Sequence, residues 1–268
     1  MMKGLTYDAG ASAYDRFTGC WSRAFVPRLL AAGGVTAGQT ILEVAAGTGG
    51  LTVMAASTVG PSGRVIASDP SLSMLRVAQD KSAGLRVDLV AMNGQDLACR
   101  DGSFDVVMCQ LGLMFFPDAG RGLQEFRRVL RERGRLAVQV WSWPDRVPYF
   151  GVLADALSPH FPEQRDVLYA PAALADPDRL ERLLAIAGFR DVSVVTETLE
   201  VTFDSFDEYW SGIEAGGGRL GQFYLELRDA ERGAVRDEVS GRMARFESSG
   251  RLVLSAEALI GTGIKANA

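Results

Sequence analysis

The sequence predicts an α/β fold: a doubly wound, mostly parallel sheet with helices on both faces. Three observations predict it. Short apolar runs alternate with amphipathic stretches from residue 41 to residue 141. The first run, 41–46, is apolar except for Glu43, as a strand buried on both faces requires. It breaks at Gly47-Thr48-Gly49-Gly50, a tight strand-to-helix turn. Such alternation implies parallel strands joined by helical crossovers.

The elements follow in order. Residues 14–32 read as an amphipathic helix, with Phe17, Trp21, Phe25 and Leu29 near one face. Gly33 and Gly34 end it, as glycines do at helix C-termini. After the 41–46 strand and its turn, a helix runs through Leu51, Met54 and Ala55. Residues 64–68 form a second strand ending at Asp69, and Pro70-Ser71 open the next helix. Residues 85–91 and 104–109 are the third and fourth strands. Residues 120–133 are a helix, with Leu123, Phe126 and Leu130 inward and Gly134 as its stop. Residues 135–141 are the fifth strand.

Beyond it the periodicity loosens. Residues 143–176 hold five prolines and no sustained period, and read as an insertion over the sheet edge. Residues 178–187 form a helix closed by Gly188, and 191–203 a strand of alternating Val, Thr and Glu. Residues 204–247 are helical with a break at Gly216-Gly217-Gly218, and 252–265 are a final strand with a bend at Gly261.

Composition narrows the function classes. A chain of 268 residues with net charge −5 has no electrostatic pull toward nucleic acid or an anionic membrane. Cys20, Cys99 and Cys109 are scattered, unlike a disulfide framework. A single histidine, His160, removes two-histidine zinc helices, and no metal site is expected. No phosphate-binding lysine loop and no serine-hydrolase elbow occurs. No apolar run is long enough to span a bilayer and no leader is evident, so the expected location is the cytoplasm.

The turn after the first strand carries the chemistry. Small residues let a ligand approach the backbone, and a helix N-terminus presents N–H groups to an anion. Asp69 lies twenty residues after Gly49 at the end of the next strand, where a carboxylate accepts from ribose hydroxyls. A nucleoside ligand is favoured over a bare turn. At this point a dinucleotide fits as well, because its fingerprint shares the layout.

The choice narrows with the resemblance. E-V-A-A-G-T-G at 43–49, S-D-P-S-L-S-M-L at 68–75, G-Q-D-L at 94–97 and S-F-D-V-V-M-C-Q at 103–110 occur in this order, followed by L-M-F-F-P-D at 113–118, E-F-R-R-V-L at 125–130 and A-G-F at 187–189. Together they resemble the class I S-adenosylmethionine-dependent methyltransferases, in the branch of the ubiquinone/menaquinone C-methyltransferases and many small-molecule enzymes of secondary metabolism. Ala45 departs from the family's commonest pattern, which has glycine there. The resemblance implies a Rossmann-like sheet of seven strands, the last antiparallel, with a helical cap. It implies one methyltransferase domain over 1–268: a cap at 1–40, a cofactor-binding core at 41–142, and substrate-covering insertions at 143–177 and 204–250.

It also implies roles. Glu43 would face the amino end of the methionine moiety, with Ala45, Ala46, Gly47, Thr48 and Gly49 along its path. Asp69 would hold the ribose, and Pro70 and Met74 would pack near the adenine. Gln95 and Asp96 would border the base, Asp96 accepting from its amino group, with the Leu97 N–H near the ring. Gln110 would border the sulfonium. Tyr14 and Trp21 of the first helix would close over the cofactor, and S-adenosylhomocysteine would be the product.

His160 has the intrinsic pKa of a general base at neutral pH, and Tyr149 and Tyr169 share its insertion as candidates to orient a substrate. Aromatics crowd that insertion and residues 206–224, which suits a small, apolar or aromatic acceptor. The arginines at 121, 127, 128, 131, 133 and 135 read as a solvated face. An NAD(P)-dependent oxidoreductase is the competing reading, though no Y-x-x-x-K pair is found. A non-methylating cyclase or binding protein on the same fold is a third. The acceptor atom and any homodimer are left open.

Overall fold

Successive residues of the central strand face opposite sides of the sheet, and both sides are buried. On β1 (Thr40–Val44), Leu42 and Val44 join one hydrophobic cluster and Ile41 the other. The computed structural model describes residues 11–266. In chain order its strands are β1, β2 (Arg64–Ser68), β3 (Val87–Val90), β4 (Phe104–Gln110), β5 (Leu130–Trp141), β6 (Phe189–Phe203), β7 (Glu247–Ser248) and β8 (Arg251–Lys265). They lie in the order β3-β2-β1-β4-β5-β8-β6. The first five are mutually parallel, and β8 runs antiparallel between β5 and β6. The order reverses between β1 and β4, which opens a crevice at their carboxyl ends.

The last long strand is antiparallel, as the resemblance implies, and β7 is an eighth. β7 is a two-residue arm of a hairpin on β8, turned by Ser249 and Gly250, both with positive φ. That pair of left-handed residues matches the twist of a two-residue hairpin. Gly261 makes no bend. It keeps its pairing with Val138 and Val194, and Leu184 leaves no room for a Cβ there.

Helices α1 (Ala11–Phe17) and α2 (Gly19–Gly33) replace the single N-terminal helix, with the break at Thr18. Thr18 keeps helical backbone angles and its N–H donates to the Tyr14 carbonyl at 2.8 Å, while Asp15 Oδ1 would stand 2.6 Å from a Cβ at Gly19. Gly34, at φ +63, caps α2. Helices α3 (Gly50–Val59) and α4 (Leu72–Lys81) follow β1 and β2 as expected. Helix α5 (Ala119–Val129) is shorter than its pattern suggests. Leu130 pairs with Phe104 instead, and the Ser103 N–H donates to the Val129 carbonyl at 2.7 Å. Sheet pairing thus captures the chain before Gly134 can cap the helix.

The 143–177 segment is more regular than its prolines suggest. It forms α6 (Pro148–Leu157) and the short α7 (Arg165–Leu168). Pro148 at the first turn of α6 is compatible with a helix start. Helix α8 (Pro177–Ile186) precedes β6, and α9 (Phe206–Glu214), α10 (Gly218–Glu226) and α11 (Asp229–Met243) fill 204–247. Among the described residues, no helix is long and apolar enough to cross a membrane.

Candidate cofactor and acceptor site

The turn after β1 is built by backbone hydrogen bonds to its neighbours. The Ala46 N–H donates to the Ser68 carbonyl at 2.9 Å, and the Gly47 N–H donates to Asp69 Oδ2 at 2.9 Å. Asp69 Oδ1 accepts from the Ser71 N–H at 2.8 Å. The carboxylate expected at a ribose therefore also ties the glycine turn to the next one. Ser71 caps α4, its Oγ accepting from the Met74 N–H at 3.2 Å.

The glycines of the turn do different work. Gly47, at φ +54, has nothing within 4 Å of where a Cβ would stand. Gly49, at φ +82, would place a Cβ 3.0 Å from Ala78 Cβ, so it serves the packing of α3 on α4 rather than a ligand path. Ala45 is also left-handed, at φ +60, where a side chain costs about 1 kcal/mol or more.

Glu43 is buried beneath the turn. Thr52 Oγ1 donates to its Oε2 at 2.6 Å. Burial pushes its carboxyl up to about 8, and the charge of Asp69 adds to this against the opposing Thr52 hydrogen bond. Burial thus favours the protonated, neutral form of this acid, which a cationic partner would have to ionise.

Helix α1 closes the turn from above. Asp15 Oδ1 accepts from Thr48 Oγ1 at 2.7 Å, and the same carboxylate pairs with Lys81 and, at 3.6 Å, with Arg23. Sequence reasoning missed Asp15, because its partners lie 33 and 66 positions away. Glu43, Ala45, Ala46, Gly47, Thr48 and Gln110 line one small cavity, with Tyr14 at its rim. Gln110 Nε2 donates to the Ser22 carbonyl and to Gln139 Oε1, both at 2.9 Å, which fixes its amide between α2 and β5.

A second cavity adjoins it. Phe17, Met114, Phe115, Trp141, Tyr149 and Phe150 are among its lining residues, and Tyr14 lines both cavities. Gln110 faces the first and Leu111 the second, consecutive residues at the end of β4. Leu111 adopts φ +54 to make that change of direction. Among the described residues, none of the lining side chains is a carboxylate or an imidazole.

The structure does not bring every expected residue to this place. Trp21 is wholly buried in the core, stacked on Tyr149 at 4.9 Å. Pro70 is exposed and Met74 buried on α4. Gln95 Oε1 accepts from the Asp118 N–H at 3.1 Å, and Asp96 is exposed. The Leu97 N–H, expected near an adenine ring, donates to Glu125 Oε2 at 2.8 Å. Tyr149 does line the aromatic cavity. Tyr169 lines neither cavity; it donates to Asp155, and burial followed by that carboxylate pushes its phenol up to about 12. His160 is exposed in the turn after α6 and lines neither cavity, which removes the geometry a general base needs. Arg128 is no mere solvated residue. It donates to the carbonyls of Leu97 and Cys99 and pairs with Glu125 and Asp101, holding the 97–101 loop.

Comparison with known proteins places this geometry. Residues 41–134 match the family of methyltransferase domains. Over 188 residues the chain is 30% identical to the demethylmenaquinone methyltransferase of Lactobacillus johnsonii, covering 65% of this chain and 75% of that protein. The chain belongs to the class I S-adenosylmethionine-dependent methyltransferases. This family member is also 41% identical, over 115 residues, to the ubiquinone/menaquinone biosynthesis C-methyltransferase UbiE of Hahella chejuensis, covering 41% of this chain and 46% of that protein. It spans about half the length of that relative and of two more of the same name. Its fold is similar to phosphoethanolamine N-methyltransferase 2 of Haemonchus contortus, solved with S-adenosyl-L-methionine. The TM-score is 0.62 at 18% identity, covering 97% of this chain and 57% of that one.

Proposed function

We propose that this methyltransferase-family chain transfers a methyl group from S-adenosylmethionine to a small, apolar or aromatic metabolite, the whole chain acting as one domain. One observation carries the reading: Gln110 and Leu111, adjacent at the end of β4, open onto two different cavities that share Tyr14. A donor beside the glycine turn and an acceptor in the aromatic cavity would meet there. Holding two reactants in line is the main service a methyltransferase provides.

The residues fit the cofactor. Gly47 leaves open space where any side chain would intrude, and Asp69 stands at the end of β2. Bound S-adenosylmethionine supplies a methyl group already activated by its sulfonium. Glu43 would bind the ammonium of the methionine moiety, and Asp69 the ribose. Tyr14 and the Asp15–Thr48 contact would keep water out from above. The aromatic wall would orient the acceptor. With no carboxylate or imidazole on that wall, an acceptor that needs deprotonation would have to bring a group of low pKa itself. The relatives are named for quinone biosynthesis and for demethylmenaquinone, and a flat quinone ring would suit the aromatic lining.

Calorimetric titration with S-adenosylmethionine, S-adenosylhomocysteine and NADH tests the reading. Both adenosyl ligands should bind and NADH should not, and Asp69→Ala should remove the binding. A protein that ignored both adenosyl ligands would refute it. Binding of both, with no methylated product from a broad set of aromatic acceptors, would favour a non-methylating role.

A further inference from the structure

The aromatic cavity carries one charged side chain, Arg219, in the first turn of α10. Its guanidinium lies 4.9 Å from the centroid of the Phe223 ring. Its Nε is buried and, among the described residues, has no hydrogen-bond partner. The three arginines of α11 are neutralised: Arg232 pairs with Asp229, Arg236 with Asp207 and Arg242 with Asp155. Arg219 forms no such pair among the described residues.

Arg219 is half-buried with its Nε cut off from solvent, and an arginine cannot shed its charge by losing a proton, so a guanidinium with no ion-pair partner among the described residues favours an anion in the cavity. Gly218, Arg219 and Leu220 all line the cavity, and the first turn of a helix turns N–H groups and positive dipole the same way. Gln222 Nε2, one turn on, is also buried without a partner among the described residues, but it lies outside the cavity lining. A carboxylate suits the Arg219 guanidinium best. Its two oxygens match the side-on fork of Nε and one Nη, and its single charge matches a single cation.

We propose that Arg219 binds a carboxylate on the methyl acceptor, which makes the acceptor class a hydrophobic, aromatic carboxylic acid. The proposal rests on the methyltransferase reading for calling the bound acid an acceptor. The recognition itself is a property of the cavity. Arg219 would anchor the end of the acceptor remote from β4, and the aromatic wall would hold its body toward Leu111.

The test uses the full chain with saturating S-adenosylhomocysteine and a panel of aromatic acids of rising size: benzoate, 2-naphthoate and anthracene-2-carboxylate. Each is titrated against its neutral carboxamide. At least one acid should bind more tightly than its amide by about tenfold or more, as expected for a charge-assisted bidentate pair. Arg219→Gln should erase that preference and leave the affinity for S-adenosylhomocysteine intact. Arg219→Lys, which keeps the charge but loses the fork, should fall between the two, and it decides the matter if the glutamine variant does not fold. If no acid is preferred to its amide, or if the preference survives in either folded variant as in the wild type, the proposal fails. Absence of S-adenosylhomocysteine binding would instead strike the cofactor reading, and the acid and amide comparison would then be run without it.

Discussion

The methyl of Ala45 lies so close to Gly112 that a Cβ on Gly112 would stand 2.4 Å from it. The two residues follow β1 and β4, the strands that flank the crevice. Ala45 is left-handed where the family's usual glycine is unstrained, and Gly112 supplies the room that the extra methyl needs. Ala45→Gly should therefore stabilise the protein by about 1 kcal/mol, raising its melting temperature by roughly 2–4 °C. Gly112→Ala should cost about 2 kcal/mol through overpacking. In the double variant much of that loss should disappear, a coupling that a thermal-melt cycle would reveal.

Gly47 and Gly49 should separate binding from stability. Gly47→Leu points into open space, so the fold should lose only the left-handed penalty of about 1–2 kcal/mol while adenosyl-ligand binding disappears. Gly49→Ala should do the reverse, because its Cβ would meet Ala78 Cβ and Cα at 3.0 and 3.1 Å. Melting curves and calorimetry on both variants check the contrast.

The raised pKa of Glu43 has two consequences with opposite signs. The folded value, about 8, exceeds the unfolded 4.5, so the folded state holds a proton that the unfolded state has lost. Stability from this group is complete below 4.5 and falls as pH rises toward 8. A cationic ligand needs the carboxylate, so affinity for S-adenosylhomocysteine should rise with pH up to about 8, with proton release on binding. Glu43→Gln should abolish both trends, as melts across pH and calorimetry in buffers of different ionisation enthalpy would show.

Asp15 clasps α1 to the glycine turn. Asp15→Ala removes the Thr48 hydrogen bond and the Lys81 pair together. Amide exchange in 11–17 should accelerate, and affinity for S-adenosylhomocysteine should fall roughly fivefold, the effect of about 1 kcal/mol. Unchanged exchange would show that α1 is held by packing alone.

His160→Ala should leave adenosyl-ligand affinity and turnover of any accepted substrate within error of the wild type, since the exposed imidazole lines neither cavity. A large loss of turnover would return it to the mechanism.

The family resemblance narrowed the ligand to S-adenosylmethionine; the sequence by itself determined the sheet, the strand-to-helix turn and a nucleoside site beside it. These rest on neighbours in the chain: the apolar period of a strand, the glycines that end it, an acid at the end of the next strand. Asp69 was legible from that locality, and Glu43 and Gln110 from the resemblance; Glu43 and Gln110 line the cavity beside the glycine turn, while Asp69 ties that turn to the next. What tertiary structure decided depends on residues far apart in the chain. Leu130 left its helix because Phe104 was waiting to pair with it. Gly94 reads as part of a cofactor motif, yet a Cβ there would strike Phe116 at 2.3 Å. The Leu97 N–H went to Glu125, and Trp21 went to the core. The aromatic cavity gathers α1, the end of β4, α6 and α10, segments that share no local signal. Only their packing shows that an arginine after a run of glycines lines an aromatic pocket with no counter-ion among the described residues, because burial and charge pairing are properties of the folded surface and not of the local sequence.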